Sequence, residues 1–166
     1  DPADKVILNN TSNLINESIN AIKDISNNLR PHVLSNFGLA SAIGAFTTKI
    51  NQTKTVEIDF KSNMEDYRLE NDKEVVIYRA ACELINNAIQ HSGASKIEIE
   101  LNKLDKFVTL QFYDNGRGFD TSKLSKDDTK GMGLSNIETR VRTVEGVFIL
   151  ESTPGRGTSA LIKVME

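Results

Sequence analysis

Two glycine-rich runs carry residues whose types and order suit nucleotide binding. The first, DNGRGF, spans residues 114–119, and the second, KGMGL, spans residues 130–134. A strand that delivers the Asp114 carboxylate into a glycine turn can place a hydrogen-bond acceptor against an adenine amino group. A glycine turn that opens a helix can hold phosphates on backbone N–H groups at the positive end of the helix dipole. Gly-x-Gly alone is common in turns, but the two runs together indicate ATP.

A helical pattern upstream of the glycine runs presents a polar face. Over residues 72–91, Glu83, Asn87, Gln90 and His91 fall within about 100° of one another on an α-helix. The apolar face of the same helix is formed by Val75, Tyr78, Cys82, Ile85 and Ile89. An asparagine amide oxygen suits Mg²⁺, a hard cation that takes oxygen ligands. We therefore expect the apolar face to pack and the polar face to meet the ligand, with Asn87 holding the ion.

The rest of the pattern predicts short strands interspersed with helices. Helices are predicted over residues 1–29, 36–51 and 132–145, and strands over residues 56–60, 95–102, 107–114, 147–152 and 158–165. The strands on either side of Asp105 form a predicted hairpin. The polar segment 120–130 is too long for a tight turn and is predicted to be a mobile flap.

The first predicted helix has a narrow apolar seam. Leucine or isoleucine recurs every seven residues along it, joined by Ile19 and Ile25, and the recurring positions are Leu8, Ile15, Ile22 and Leu29. Such a seam is typical of helices in coiled coils or bundles, so the helix is expected to need a partner helix. The alternative is an amphipathic helix folded onto its own domain. Because Arg30-Pro31 ends the helix, we predict two domains, residues 1–31 and 32–166.

Composition excludes several classes of partner. The chain has 166 residues and a net charge of −3, and its lysines and arginines do not cluster, so nucleic acid is not an expected partner. Cys82 is the only cysteine, which excludes an internal disulfide and favours a reducing, cytoplasmic compartment. The chain begins without methionine. We therefore interpret it as a segment of a longer protein, one that could carry a membrane anchor elsewhere.

Four short motifs, taken in order, resemble the nucleotide boxes of the Bergerat (GHKL) ATPases, the group that includes gyrase, MutL and histidine kinases. They are E-x-x-x-N-A-x-x-H at 83–91, D-x-G-x-G at 114–118, G-x-G-L at 131–134 and G-x-G-T at 155–158. The segments NLRP at 28–31 and GL-x-x-A at 38–42 are similar to the junction between dimerisation helices and ATP domain in sensor histidine kinases of the nitrate-sensor and DesK-like class. The resemblance covers essentially the whole chain.

This resemblance implies an α+β fold, a two-layer α/β sandwich with a mixed sheet and helices on one face, preceded by a long dimerisation helix. It also implies an enzyme that transfers the γ-phosphoryl group of ATP, with Mg²⁺, to a histidine on a first dimerisation helix outside this chain. Relatives pass that group to an aspartate of a response regulator, and the parent protein would be a homodimer. The flap would order over bound ATP.

The resemblance also assigns site residues. Asp114 would bind the adenine amino group, with Gly118 leaving room for the base and Thr158 in support; Asn87 would bind Mg²⁺, and Glu83 would assist catalysis. The implied catalytic residues are Glu83 and Asn87. The implied ligand-binding residues are Asn87, His91, Asp114, Gly116, Gly118, Gly131, Gly133, Leu134 and Thr158.

Two departures from the family pattern leave alternatives open. His32 lacks the acidic residue that follows the family's acceptor histidine, so we interpret it as a structural or surface residue. Gln90 stands where many relatives carry a lysine that could approach the phosphates. One alternative is an anti-sigma-factor-type serine kinase, which would lack the seam before residue 31. The other is a nucleotide-gated interaction module that binds ATP without productive chemistry.

Overall fold

The described part of the chain alternates helices with the strands of one sheet. A computed structural model of the protein describes residues 32–123 and 132–166. The helices are α1 His32–Gln52, α2 Asn71–Asn87 and α3 Met132–Thr143, with a π-helical turn at Ala88–Ser92 and a 3₁₀ turn at Thr121–Lys123. The strands are β1 Glu57–Ser62, β2 Lys96–Leu104, β3 Phe107–Asp114, β4 Val147–Ser152 and β5 Thr158–Met165.

The strands form a mixed sheet in the order β1-β2-β3-β5-β4. Strands β1 and β2 are parallel and joined through α2, whereas the other neighbouring pairs are antiparallel. The predicted hairpin is confirmed as β2 and β3, which turn at Asp105 with a positive φ of 52°. The register places Asp114, the last residue of β3, opposite Thr158, the first residue of β5.

One face of the sheet is buried by the helices. Alternate residues of β2 and β3 are fully buried, and the ladder sets Ile99 opposite Phe112 and Leu101 opposite Leu110. Helix α1 adds Leu39 and Ile43, and the remaining core side chains come largely from α2 and β5. The intervening residues of these strands point to the other face, as a period of two requires. The predicted mixed sheet with helices on one face is therefore confirmed.

Helix α1 begins earlier than the pattern predicts and contains a kink. It starts at His32 rather than at residue 36, and Gly38 interrupts it with a φ of 80° and a ψ of −179°. A side chain at this position would be strained, and its Cβ would lie 3.0 Å from Cδ of Arg68. The exposed His32 is close to Asn36, with 3.3 Å between Nδ1 of His32 and Nδ2 of Asn36, as expected for a surface residue.

Several predictions fall outside the described residues. These are the helix over residues 1–29 with its seam, Gly131 of the second glycine run, and the flap from residue 124 onward. Within the part of the chain that is described, no helix is both long and apolar enough to cross a membrane. The described residues all belong to a compact unit that begins at His32.

A buried ion pair fixes the kinked start of α1 to helix α2. Glu74 is fully buried and accepts hydrogen bonds from Nε and Nη2 of Arg68, at 2.8 and 2.9 Å, and from the Leu69 N–H at 3.1 Å. The same guanidinium approaches the carbonyl oxygens of Leu34 and Ser35 at 3.4 and 3.3 Å. Arg68 therefore connects the segment before Gly38 to the first turn of α2.

We expect Arg68→Ala to lower the free energy of unfolding by about 2 kcal/mol, because the Glu74 carboxylate would stay buried after losing two charge-assisted hydrogen bonds. This loss is smaller than for a fully buried ion pair because the Arg68 side chain is 41% exposed. Urea denaturation followed by circular dichroism measures the loss. The control is Arg142→Ala, which removes an exposed ion pair with Glu138 and should cost about 0.5 kcal/mol. Equal losses in the two variants would contradict the prediction.

Candidate nucleotide-binding site

Asp114 ends strand β3 as a buried carboxylate. The residue is 2% exposed, and its Oδ1 accepts a hydrogen bond of 2.8 Å from the Gly116 N–H. Its other oxygen, Oδ2, accepts no hydrogen bond from residues 32–123 or 132–166. A buried acceptor without a partner is costly in a folded protein. The carboxylate is therefore suited to a donor supplied by a ligand, such as an exocyclic amino group.

Thr158 lies beside Asp114 and is held by a serine that the sequence analysis did not identify. The Ser152 hydroxyl donates to the Gly157 carbonyl at 2.9 Å and accepts from the Phe119 N–H at 2.9 Å. It also lies 3.1 Å from Oγ1 of Thr158. Ser152 pairs with Thr158 in the β4–β5 ladder. This pairing links Ser152 to the site, and it cannot be inferred from the sequence before the register of β4 and β5 is known.

Glycines bring the first glycine run against the turn between β4 and β5. Gly118 has a φ of 59°, and a Cβ there would collide with the carbonyl oxygen of Thr153. A Cβ on Gly157 would likewise collide with the carbonyl oxygen of Asp114. The Gly155 N–H donates across this contact to the Arg117 carbonyl at 2.6 Å. Glycine is thus required at position 118 because the backbone of the β4–β5 turn packs directly against it.

Gly116 joins the same run to the end of the α2 region. A Cβ on Gly116 would lie 2.5 Å from both Cβ and Oγ of Ser92. The Ser92 carbonyl accepts the Arg117 N–H at 2.9 Å, and its hydroxyl donates to the Ala88 carbonyl at 2.7 Å. Ser92, also missed in the sequence analysis, therefore couples the Asp114 loop to the helix that carries Glu83 and Asn87.

Glu83 and Asn87 lie one helical turn apart and face the start of α3. Nδ2 of Asn87 donates to Oε1 of Glu83 at 3.3 Å. A Cβ on Gly133 would collide with that same Oε1 and lie 3.5 Å from Nδ2 of Asn87. The second glycine run therefore meets the polar face of α2, and a side chain at position 133 would displace the Glu83 carboxylate. Leu134 packs against the hydrophobic core, and a contact between Leu134 and a nucleotide stays a prediction.

The end of α2 differs from the prediction of one α-helix through His91. Residues 88–92 form a π-helical turn, and Gly93 follows in the left-handed conformation with a φ of 66°. A π turn is wider than an α turn, so the α-helical spacing that grouped His91 with Glu83 and Asn87 does not apply to residues 88–92. Both Gln90 and His91 are exposed. A contact between His91 and a nucleotide stays a prediction.

An arginine lies on the α2 face that carries Glu83. Arg79 precedes Glu83 by one helical turn, and burial together with the nearby positive charge of Arg140 lowers the pKa of Arg79. An arginine nevertheless stays protonated in proteins. The region where α2 and α3 meet therefore carries positive charge that can offset phosphate charge. In the sequence, the four-residue spacing between Arg79 and Glu83 indicates that the two side chains share a helix face.

Cys82 is confirmed as a buried, unreactive thiol. It is 8% exposed and belongs to no disulfide. Burial, with a smaller effect from the Glu83 charge, raises the pKa of the Cys82 thiol to about 12. Burial also raises the pKa of the neighbouring Tyr78 hydroxyl. Both groups stay protonated near neutral pH, so neither serves as a nucleophile beside the site.

Comparison with known proteins establishes the family. Residues 72–166 match the family model described as histidine kinase-, DNA gyrase B-, and HSP90-like ATPase. That match covers more than half of the chain, and the chain belongs to this family. The matched region includes Glu83, Asn87, both glycine runs and Thr158. All the residues of the candidate site therefore lie inside the ATPase domain.

Similar proteins place the chain among ATP-binding catalytic domains of the histidine kinase type. The signal transduction histidine-protein kinase/phosphatase DegS of Bacillus subtilis is 32% identical over 138 residues, covering 81% of this chain and 36% of DegS. The sensor histidine kinase ComP of the same organism is 28% identical over 150 residues, covering 90% of this chain and 19% of ComP. The chain thus spans about a third or less of these relatives. The serine kinase alternative is not favoured.

A solved structure supports the fold independently. The nucleotide-free catalytic domain of the histidine kinase ThkA superposes with a TM-score of 0.62 at 20% identity. The superposition covers 76% of this chain and 89% of the ThkA domain. At that identity the likeness establishes the fold, and the predicted Bergerat architecture is confirmed.

Proposed function

We propose that this chain binds ATP with Mg²⁺ and transfers the γ-phosphoryl group to a histidine on a dimerisation helix of the same protein. The proposal rests chiefly on one juxtaposition. The hydrogen-bonded Glu83–Asn87 pair faces Gly133 at the start of α3, while Asp114, whose Oδ2 accepts no hydrogen bond from the described residues, lies at the end of β3. The Asp114 carboxylate suits the adenine base, and the Glu83–Asn87 pair suits the phosphates with their Mg²⁺ ion.

Asp114 would select adenine. Its Oδ1 is held by the Gly116 N–H, so Oδ2 is left to accept a hydrogen bond from the exocyclic amino group. The same oxygen would repel the carbonyl that guanine carries at the equivalent position, because both groups are acceptors. Thr158, held through Ser152, would add a hydroxyl beside the base, directly or through water.

Asn87 fits the role of magnesium ligand. Its Nδ2 is directed to Glu83, which leaves Oδ1 as the free oxygen, and Oδ1 accepts no hydrogen bond from the described residues. An amide oxygen is a suitable ligand for Mg²⁺, which usually takes one or two protein ligands beside phosphates and water. The ion, when bound, would neutralise phosphate charge. The residue of this chain that orients the ligand oxygen is Glu83.

Phosphoryl transfer requires mainly positioning and charge neutralisation. The start of α3 would offer backbone N–H groups to the phosphates, and the arginines near α2 and α3 would add positive charge. A nitrogen of the acceptor imidazole would then bond to the γ-phosphorus as the bond to the ADP oxygen breaks. We further propose that the parent is a homodimer, that it passes the group to a response regulator aspartate, and that this domain is cytoplasmic.

The test is a transfer assay with separate parts. The chain is mixed with Mg²⁺, γ-labelled ATP and a separately made first dimerisation helix of the parent protein. We expect label on that helix that is lost in acid and retained in base, as for phosphohistidine. A helix with the acceptor histidine replaced by glutamine should stay unlabelled and is the matched control.

Two results would contradict the proposal. Acid-stable, base-labile label would indicate transfer to serine, and the domain would then be a serine kinase of the same fold. Micromolar ATP binding without transfer to any form of the helix would indicate a nucleotide-gated interaction module. Binding and transfer are measured on the same preparation, so loss of folding is separated from loss of chemistry.

A further inference from the structure

The sheet face that the helices leave uncovered carries an unusual number of apolar side chains. Residues pointing to that face alternate with core residues, and in an antiparallel sheet with one face in solvent they are normally polar. Five large apolar residues on this face are between 43% and 71% exposed. They are Leu104, Tyr113, Val147, Ile149 and Met165.

The strand register brings part of this set together. Ile149 of β4 lies opposite Leu161 of β5, and Leu161 lies opposite Gln111 of β3. Tyr113 is the next outward residue on β3, two positions from Gln111. These side chains line a depression of about 420 Å³ on the open face, together with Glu98, Glu100 and Glu151. We call the six residues Glu98, Glu100, Tyr113, Ile149, Glu151 and Leu161 the open-face patch.

The uncompensated charge of the open-face patch is negative. Lys96 lies 2.6 Å from Glu98 and neutralises it. Glu100 and Glu151 form no ion pair with any residue in the described ranges. The other lysines of this face are engaged: Lys61 pairs with Asp59 at 3.1 Å, and Lys163 lies over the Phe107 ring at 3.8 Å. Glu100, which lies opposite Lys61 in the β1–β2 ladder, and Glu151 therefore flank the apolar centre without an ion pair to any described residue.

The charge decides between classes of occupant. Nucleic acid and anionic lipid surfaces are repelled by unpaired carboxylates. A second copy of this chain would present its own open-face patch, whose spare charges are also negative, and its lysines on this face are already engaged. Contiguous exposed apolar surface marks interaction sites. The occupant that complements both features is a polypeptide with apolar and basic side chains.

The spacing suits a helix. Glu100 on β2 and Glu151 on β4 are three strand intervals and two residues of register apart, roughly 16 Å at the usual strand separation and rise. An α-helix with its side chains is about 10–12 Å wide. Such a helix lying over β3 and β5 could place apolar residues on Tyr113 and Leu161. Basic side chains at its two flanks would then reach the two carboxylates.

We propose that the open-face patch binds an amphipathic helix of a partner protein whose apolar stripe is flanked on both sides by lysine or arginine. The apolar stripe contacts Tyr113, Ile149 and Leu161, and the flanking cations pair with Glu100 and Glu151. The surface is separate from the nucleotide site, since its side chains lie on the opposite face of the sheet from the helices. The partner would thus engage the domain without occupying the ATP site.

The test uses two synthetic helical peptides of equal length, one with a leucine stripe flanked by lysines and one with the lysines replaced by glutamates. Chemical shifts of ¹⁵N-labelled chain are followed as each peptide is added. We expect the lysine peptide to shift amides of β3, β4 and β5, and the glutamate peptide to leave them unchanged. The variant Glu100→Lys/Glu151→Lys should bind the lysine peptide with an affinity at least tenfold lower than that of the unmodified chain.

The control variant is Glu65→Lys/Glu138→Lys, which makes the same change in net charge at exposed positions away from the open face. It should bind the lysine peptide within about twofold of the unmodified chain. Equal weakening in both variants would show non-specific attraction and overturn the proposal. Shifts confined to the helices, equal binding of both peptides, or sedimentation as a dimer that Ile149→Lys dissociates would overturn it as well.

Discussion

Replacing Asp114 by asparagine is expected to lower ATP affinity about 100-fold, with the fold unchanged. Oδ1 of Asp114 is held by the Gly116 N–H at 2.8 Å, so the asparagine oxygen should keep that position. Its NH₂ group would then stand where Oδ2 stood and face the adenine amino group, donor against donor. Losing a buried hydrogen bond and leaving two donors unpaired costs about 3 kcal/mol, which corresponds to that change in affinity.

Isothermal titration calorimetry with ATP and GTP measures this effect. Because an amide NH₂ can donate to the guanine carbonyl, the preference for ATP over GTP should shrink or reverse in Asp114→Asn, which a merely destabilised fold would not produce. The control is Asp59→Asn, at a carboxylate on β1 that pairs with Lys61, and it should leave both affinities unchanged. An ATP affinity within twofold of the original in Asp114→Asn would refute the adenine assignment.

Local patterns predicted most of the fold. The bounds of β4 and β5 agree with the strand predictions to the residue, because alternation is a property of neighbouring residues. The hairpin of β2 and β3 followed from the same periodicity and a turn near Asp105. The mixed sheet with helices on one face came from family resemblance, since pairing order depends on contacts between residues far apart in sequence.

The two differences in the helices have physical causes that periodicity cannot reveal. Helix α1 extends back to His32 because Gly38 absorbs the kink and Arg68 bonds the carbonyls before it, from 33 or more residues away. Helix α2 widens into a π turn where the Ser92 hydroxyl bonds the Ala88 carbonyl. An apolar stripe specifies which face is buried and does not specify the width of the last turn.

The candidate site was predictable in its parts and not in its assembly. The four-residue spacing of Glu83 and Asn87 predicted that they share a face, and they are hydrogen-bonded. The sequence could not indicate that Gly133 lies against Glu83, or that Gly116 lies against Ser92. Such contacts join segments far apart along the chain, and the contact with Ser92 explains why glycine is required at position 116.

Replacing Asn87 by alanine is expected to reduce phosphoryl transfer about 1,000-fold and to remove the effect of Mg²⁺ on ATP affinity. Oδ1 of Asn87 is the free oxygen of a side chain oriented by Glu83, and losing one group that stabilises developing charge typically costs about 100- to 1,000-fold in rate. The binding readout needs no acceptor helix. ATP affinity is measured by calorimetry in Mg²⁺ and again in EDTA, for the unmodified chain and for the variant.

The neighbouring residue Asn86 provides the matched control, because it has the same side chain and is half-buried on the same helix, about 100° away from Asn87. Asn86→Ala should keep both the transfer rate and the difference between Mg²⁺ and EDTA. In Asn87→Ala the affinities in Mg²⁺ and EDTA should become equal, since the chain would no longer hold the ion. A variant that still binds ATP more tightly with Mg²⁺, by the original factor, would show that the metal ligand lies elsewhere. Asn87 would then act only as the hydrogen-bond partner of Glu83.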